Sequence, residues 1–125
     1  MEKNRIAVLD ADEKQSKNLC NFLADHNYET TQIKSMTDMA GHLGVSDCRV
    51  IILNLDNMAV NNKTFKELKR KIPSLKIIAY SQRRFHPELE EALREYISVC
   101  LAKPVDLDEL IYWLNSVFEN NEGTC

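Results

Sequence analysis

The chain has 125 residues, 44% of them hydrophobic and 28% charged, with a net charge of −3. That is enough for one domain with a core of its own, without disulfides or a structural metal, and too apolar for general disorder. The mild negative charge gives no electrostatic footprint for nucleic acid or an anionic membrane.

Short apolar runs alternate with amphipathic ones along the chain. The first strand is expected at about residues 4–10, leading to a helix at about 14–26 with Leu19, Phe22 and Leu23 on one face. A weaker strand follows from Tyr28 to Ile33, where the polar alternation marks a sheet edge. Ser35 or Thr37 then caps a short helix through Met39, Ala40 and Leu43, ended by Gly44. The run Val50-Ile51-Ile52-Leu53 reads as a buried parallel strand. A helix at about 61–72 carries Phe65, Leu68 and Ile72, and Pro73 stops it.

A fourth strand at about 75–80 precedes a helix opened by Pro87, with Glu88, Glu90 and Glu91 near its positive end and Leu89, Ala92, Leu93 and Tyr96 as its stripe. The fifth strand is expected at about 98–102. In the last helix Asp106 is the cap, Leu107, Leu110, Ile111, Leu114, Val117 and Phe118 form the stripe, and fraying begins at about Asn120. Five such β-α units with right-handed crossovers predict an α/β fold: one doubly wound, parallel five-stranded sheet with helices on both faces. The whole chain, 1–125, reads as one domain with its core at about 4–119.

The strands end in polar side chains: Asp10, Asn54, Ser81 and Lys103. Ligands and chemistry collect at the carboxyl ends of such strands, so an acid, an amide, a hydroxyl and an amine are expected to converge on one edge. Asn54 is the odd member, because an amide is neutral and a poor nucleophile. Cys20, Cys48, Cys100 and Cys125 have no metal-ligand spacing and read as small hydrophobes of a reducing compartment. His26, His42 and His86 are scattered and read as surface or turn residues. With no signal-peptide pattern and no apolar run of membrane-spanning length, a cytoplasmic location is expected.

Taken together, these residues resemble the receiver domain of two-component response regulators, over essentially the whole chain. The resemblance rests on Val8-Leu9-Asp10-Ala11-Asp12, Ile51-Ile52-Leu53-Asn54-Leu55, Tyr80-Ser81 and Ala102-Lys103-Pro104, and most specifically on Lys103 to Leu110. It implies the CheY-like strand order 2-1-3-4-5. It further implies a phosphoacceptor position at Asn54, a magnesium-holding acidic pocket at Asp10 and Asp12, phosphoryl contacts at Ser81 and Lys103, and a switch-aromatic position at Cys100. A cis bond before Pro104 would aim Lys103 into the pocket. A carboxylate nucleophile is needed there, because only a carboxylate can form an acyl phosphate.

Three positions depart from that pattern: Asn54 replaces the acceptor, Ala11 the second acid of the pair, and Cys100 the aromatic. Met58-Ala59 also stands where a proline is usual. The expectation is a degenerate receiver, not an enzyme, with Lys103 neutralising Asp10 and no cofactor, magnesium entering only if the residual acids are competent. It would work by protein contact or homodimerisation through the fourth helix, fifth strand and fifth helix, with Arg94, Glu95, Asp108, Tyr112 and Trp113 as contributors.

Plainer roles stand beside these: Asp10 or Asp12 as a helix or loop cap, Ser81 as a partner of loop backbone, Cys100 as packing, Trp113 as a helix margin. Gln82-Arg83-Arg84-Phe85 reads by default as an exposed basic loop, and Lys63 to Lys71 as the solvated face of a helix. One alternative is a shifted acceptor at Asp56, which shares the parity of Asn54 but is expected past the strand end and too far out. A flavodoxin-like cofactor protein is the remote alternative. It would want a glycine-, serine- or threonine-rich phosphate loop where this chain has Asp10-Ala11-Asp12-Glu13.

Overall fold

The strongest signal in the chain, four short runs of aliphatic residues, becomes four strands of one sheet, three of them central and the last at an edge. In a computed structural model, which describes residues 5–35, 48–83 and 85–122, the strands are β1 (Arg5–Leu9), β2 (Glu29–Ile33), β3 (Val50–Asn54), β4 (Lys76–Ser81) and β5 (Val99–Ala102). All pair in parallel, in the order β2-β1-β3-β4-β5. The helices are α1 (Glu13–Asp25), α2 (Asn62–Lys71), α3 (Glu90–Glu95) and α4 (Leu107–Glu122). The short helix expected between β2 and β3 lies outside the described residues.

Strand parity sorts the core into two layers. Ala7, Leu9, Ile51, Leu53, Ile77 and Ala79 share one cluster with Phe65 and Leu68 of α2 and Ala92 of α3. Ile6, Val8, Val50, Ile52, Ile78 and Tyr80 share the other with Leu19 and Leu23 of α1 and Leu110, Leu114 and Val117 of α4. Because both faces of β1, β3 and β4 are covered, their sequences are continuous hydrophobic runs and not alternating ones. β2 is an edge strand, as its polar alternation predicts.

Local chemistry sets the element ends. Asp12 caps α1 by accepting from the backbone N–H of Gln15 at 3.1 Å. Asn61 and Thr64 form a reciprocal capping box at the start of α2. Asp106 accepts from the N–H groups of Asp108 and Glu109 at the start of α4, as expected. Three details differ from the sequence reading. Pro87–Leu89 is a 3-10 turn, so α3 proper begins at Glu90. α4 continues to Glu122, past the expected fraying point. Leu107 at its first turn remains 38% exposed, outside the core cluster that Leu110 and Leu114 join one and two turns further on.

Candidate functional site

Parity and register bring three polar groups together on one face. Asp10, Asn54 and Tyr80 continue the alternation of Val8, Ile52 and Ile78, and Asn54 is paired with Tyr80 across β3 and β4. All three are buried. Both oxygens of the Asp10 carboxylate are doubly occupied. Oδ1 accepts from the Asp12 backbone N–H at 2.8 Å and from Asn57 Nδ2 at 2.6 Å. Oδ2 accepts from Asn54 Nδ2 at 3.2 Å and from the Tyr80 hydroxyl. Burial and the neighbouring Asp10 carboxylate push the Tyr80 phenol well above its ordinary range, so it stays protonated and donates.

Asn54 is the hinge between this shell and a second one. Its Oδ1 accepts from the Asp56 backbone N–H at 2.9 Å and from Lys103 Nζ at 3.0 Å. The Lys103–Pro104 peptide is cis. Lys103 does not neutralise Asp10. It pairs with Asp56 Oδ2 at 2.7 Å and lies 5.5 Å from the centre of the Tyr80 ring.

Asp56 is therefore not too far out. Past the end of β3 the chain turns, and its carboxylate swings back over the strand ends. There Ser81 Oγ donates to Oδ1 at 2.9 Å and the Gln82 backbone N–H to Oδ2 at 2.9 Å. Burial alone would raise the Asp56 carboxyl, but the bonds from Lys103, Gln82 and Ser81 outweigh it and hold the group below the ordinary aspartate value of 3.8. Ser81 also accepts from the Arg83 N–H at 3.0 Å, so its loop-backbone role and its site role are both filled.

Of the residues singled out in the sequence, Asp10, Asn54, Asp56, Ser81 and Lys103 converge. The Asp12 side chain does not join them; it is exposed and used as the α1 cap, while only its N–H reaches Asp10. Cys100 is exposed on β5, not packed in the core. His86 is the opposite correction: its side chain is 2% exposed, because the loop before Pro87 folds the ring inward and turns Phe85 out to 82% exposure. His26 is exposed, and His42 lies outside the described residues.

Two site residues were not anticipated for this role. Tyr80 reads as one more apolar strand residue until the register places its hydroxyl beside Asp10. Asn57 is a loop amide whose only sequence signal is its closeness to Asn54. Its Oδ1 also accepts from the Ala11 N–H at 3.1 Å, tying the β1 and β3 loops together.

The residues present do not fit a magnesium ion. A hard dication needs several free oxygen ligands with counter-charge, whereas each Asp10 oxygen already holds two donors and Ala11 offers no side-chain oxygen. Among the described residues, no group of three or more His, Cys, Asp or Glu side chains could hold a metal. No helix among them is long and apolar enough to cross a membrane.

Solved structures with this architecture include receiver domains. The signal receiver domain of an HD domain-containing protein from Pseudomonas fluorescens Pf-5 superposes with a TM-score of 0.87 at 19% identity, over 97% of this chain and 98% of that one. A two-component response regulator from Clostridium difficile gives 0.84 at 15% identity, over 94% and 97%. NtrX from Brucella abortus gives 0.81 at 18% identity over 97% of this chain, which spans only 28% of the NtrX chain. At these identities the likeness speaks for the fold alone. A comparison with curated protein sequences finds no match. The family model of the response regulator receiver domain matches residues 6–115. The chain belongs to the response regulator receiver domain family, the CheY-like signalling modules of two-component systems.

Proposed function

We propose that this receiver domain signals without an aspartyl phosphate, as a non-enzymatic, cytoplasmic module that works by protein contact. The observation that carries the reading is the state of Asn54. Its amide, at the position the family resemblance gives to the acceptor, is held from both ends, by Asp10 on one side and by Lys103 and the Asp56 N–H on the other. An amide so placed has neither the charge nor a free lone pair for attack on phosphorus. The saturated Asp10 supports the same reading, because it has no free oxygen for a metal ion that would join Lys103 in offsetting charge on a transferring group.

The α3-β5-α4 surface is the proposed contact face. Arg94, Glu95, Asp108 and Tyr112 are exposed there, Tyr112 to 65%. Trp113 is partly buried against the core and meets the Tyr112 ring edge-on at 5.4 Å. A half-covered indole beside an exposed phenol suits an interface anchor.

Incubation with a small phosphodonor and magnesium, followed by intact mass, tests the central claim. The expected result is no phosphoryl adduct. A stoichiometric adduct that disappears in Asp56→Asn would overturn it in favour of a shifted acceptor.

A further inference from the structure

Ser81 Oγ, the Gln82 N–H and Lys103 Nζ are three donors of different kinds aimed at one small volume at the carboxyl ends of β4 and β5. A hydroxyl, a backbone amide and an ammonium converging in this way make an oxyanion site. Here that volume is not open, because the chain's own Asp56 carboxylate lies in it, receiving all three at 2.7–2.9 Å.

We propose that Asp56 is a resident anion: an internal ligand that fills an oxyanion site of the molecule and fixes the segment after β4 in one arrangement. This rests on the reading that the domain works without phosphorylation, and it says what stands in for the missing charge.

The contacts run on from the site. Ser81 Oγ, while donating to Asp56, accepts from the Arg83 N–H at 3.0 Å, and the Lys103 N–H donates to the Ser81 carbonyl at 3.1 Å. The Arg83 guanidinium then grips both oxygens of Glu88, at 3.0 and 3.2 Å, in the 3-10 turn that leads into α3. Between these anchors Phe85 is turned out and His86 in. One carboxylate thus sets the backbone of residues 81–83, and through Arg83 the entry to α3.

The geometry also accounts for Asp56 as a ligand and not an acceptor. Oδ1 is taken by Ser81 and Oδ2 by Gln82 and Lys103, so both oxygens are committed to the donors that would otherwise hold an incoming oxyanion. With the carboxylate gone, the same donors should accept an external oxyanion of tetrahedral or carboxylate shape.

The test uses the wild-type chain, Asp56→Ala and Asp56→Asn, with inorganic phosphate and acetate as probes and the Gln82 and Arg83 amide resonances as the readout. In wild type these resonances should not move on addition of either probe. In Asp56→Ala they should shift and their hydrogen exchange should rise about tenfold, and phosphate or acetate should reverse both changes saturably. Asp56→Asn keeps an oxygen in place but loses the charge, so it should leave Gln82 largely protected and bind neither probe.

Unchanged Gln82 and Arg83 amides in Asp56→Ala would overturn the proposal. So would loosened amides that neither probe restores, or equal binding by wild type. Formation of an acyl phosphate on wild type in the mass experiment would instead sink the phosphorylation-independent reading, and the amide experiment would still report separately on the resident carboxylate.

Discussion

A buried carboxylate is costly unless its lone pairs are filled, and Asp10 has four donors where a metal-binding acid would keep oxygens free. Two consequences follow at single residues. Asn54→Asp removes a donor from Asp10 and sets a second carboxylate against it. The expected cost is about 2–4 kcal/mol in urea denaturation, from the lost bond and the like charge. Tyr80→Phe removes a bond to a charged group and should cost roughly 1.5–3 kcal/mol.

Tyr80 also gives a signed pH dependence. Its folded pKa is raised above the ordinary 10.0. The folded state therefore keeps a proton that the unfolded state sheds above about pH 10. Stability is present in full below that point and falls as the pH rises beyond it. The alkaline decline should be shallower in Tyr80→Phe than in wild type, as read from denaturation midpoints between pH 9 and about 11.

At the level of elements, the same residue type plays different parts according to where its backbone places it. Asp12 belongs to α1, so Asp12→Ala should cost about 0.5–2 kcal/mol as a lost N-cap while leaving the Gln82 and Arg83 resonances unmoved. Asp56 belongs to the β3 turn and ties it to the ends of β4 and β5. Its folded pKa is lowered, so its contribution is present above 3.8 and is lost as the pH falls through the folded value. The acid side of the stability profile should be flatter in Asp56→Asn.

What the sequence disclosed about these elements follows their physics. β1, β3 and β4 were legible because strands covered on both faces are written as unbroken aliphatic runs. α1 and α4 were legible from caps and stripes, and α2 from its stripe and the Pro73 stop. The entry to α3 was not, because a 3-10 turn and a helix share the same start signal at Pro87. The site was legible as four strand ends, since parity and topology follow from pattern. Asn57, Tyr80 and the return of Asp56 were not, because turn geometry and cross-strand register decide them.

For the molecule as a whole, the two-layered core and the self-satisfied polar edge should let the chain fold without a divalent cation. A ligand stabilises a fold only where its concentration approaches or exceeds its dissociation constant for the native state. Millimolar magnesium against a chelator should therefore shift Tm by less than about 1 °C. A larger shift would mean that the shell around Asp10 opens to admit the ion.

The donor shell of Asp10 also bears on the paths open to this sequence over evolutionary time. Placing a carboxylate at position 54 by one substitution passes through a less stable protein, because the new acid arrives before any ligand set that could exploit it. Asn57 and Tyr80 hold the oxygens a cation would want, and Ala11 has none to add. Reversal needs several coordinated changes, whereas drift among neutral surface positions needs none. If the domain works without an aspartyl phosphate, as proposed, it sits behind a one-way step in sequence space, and selection on it should act through its contacts.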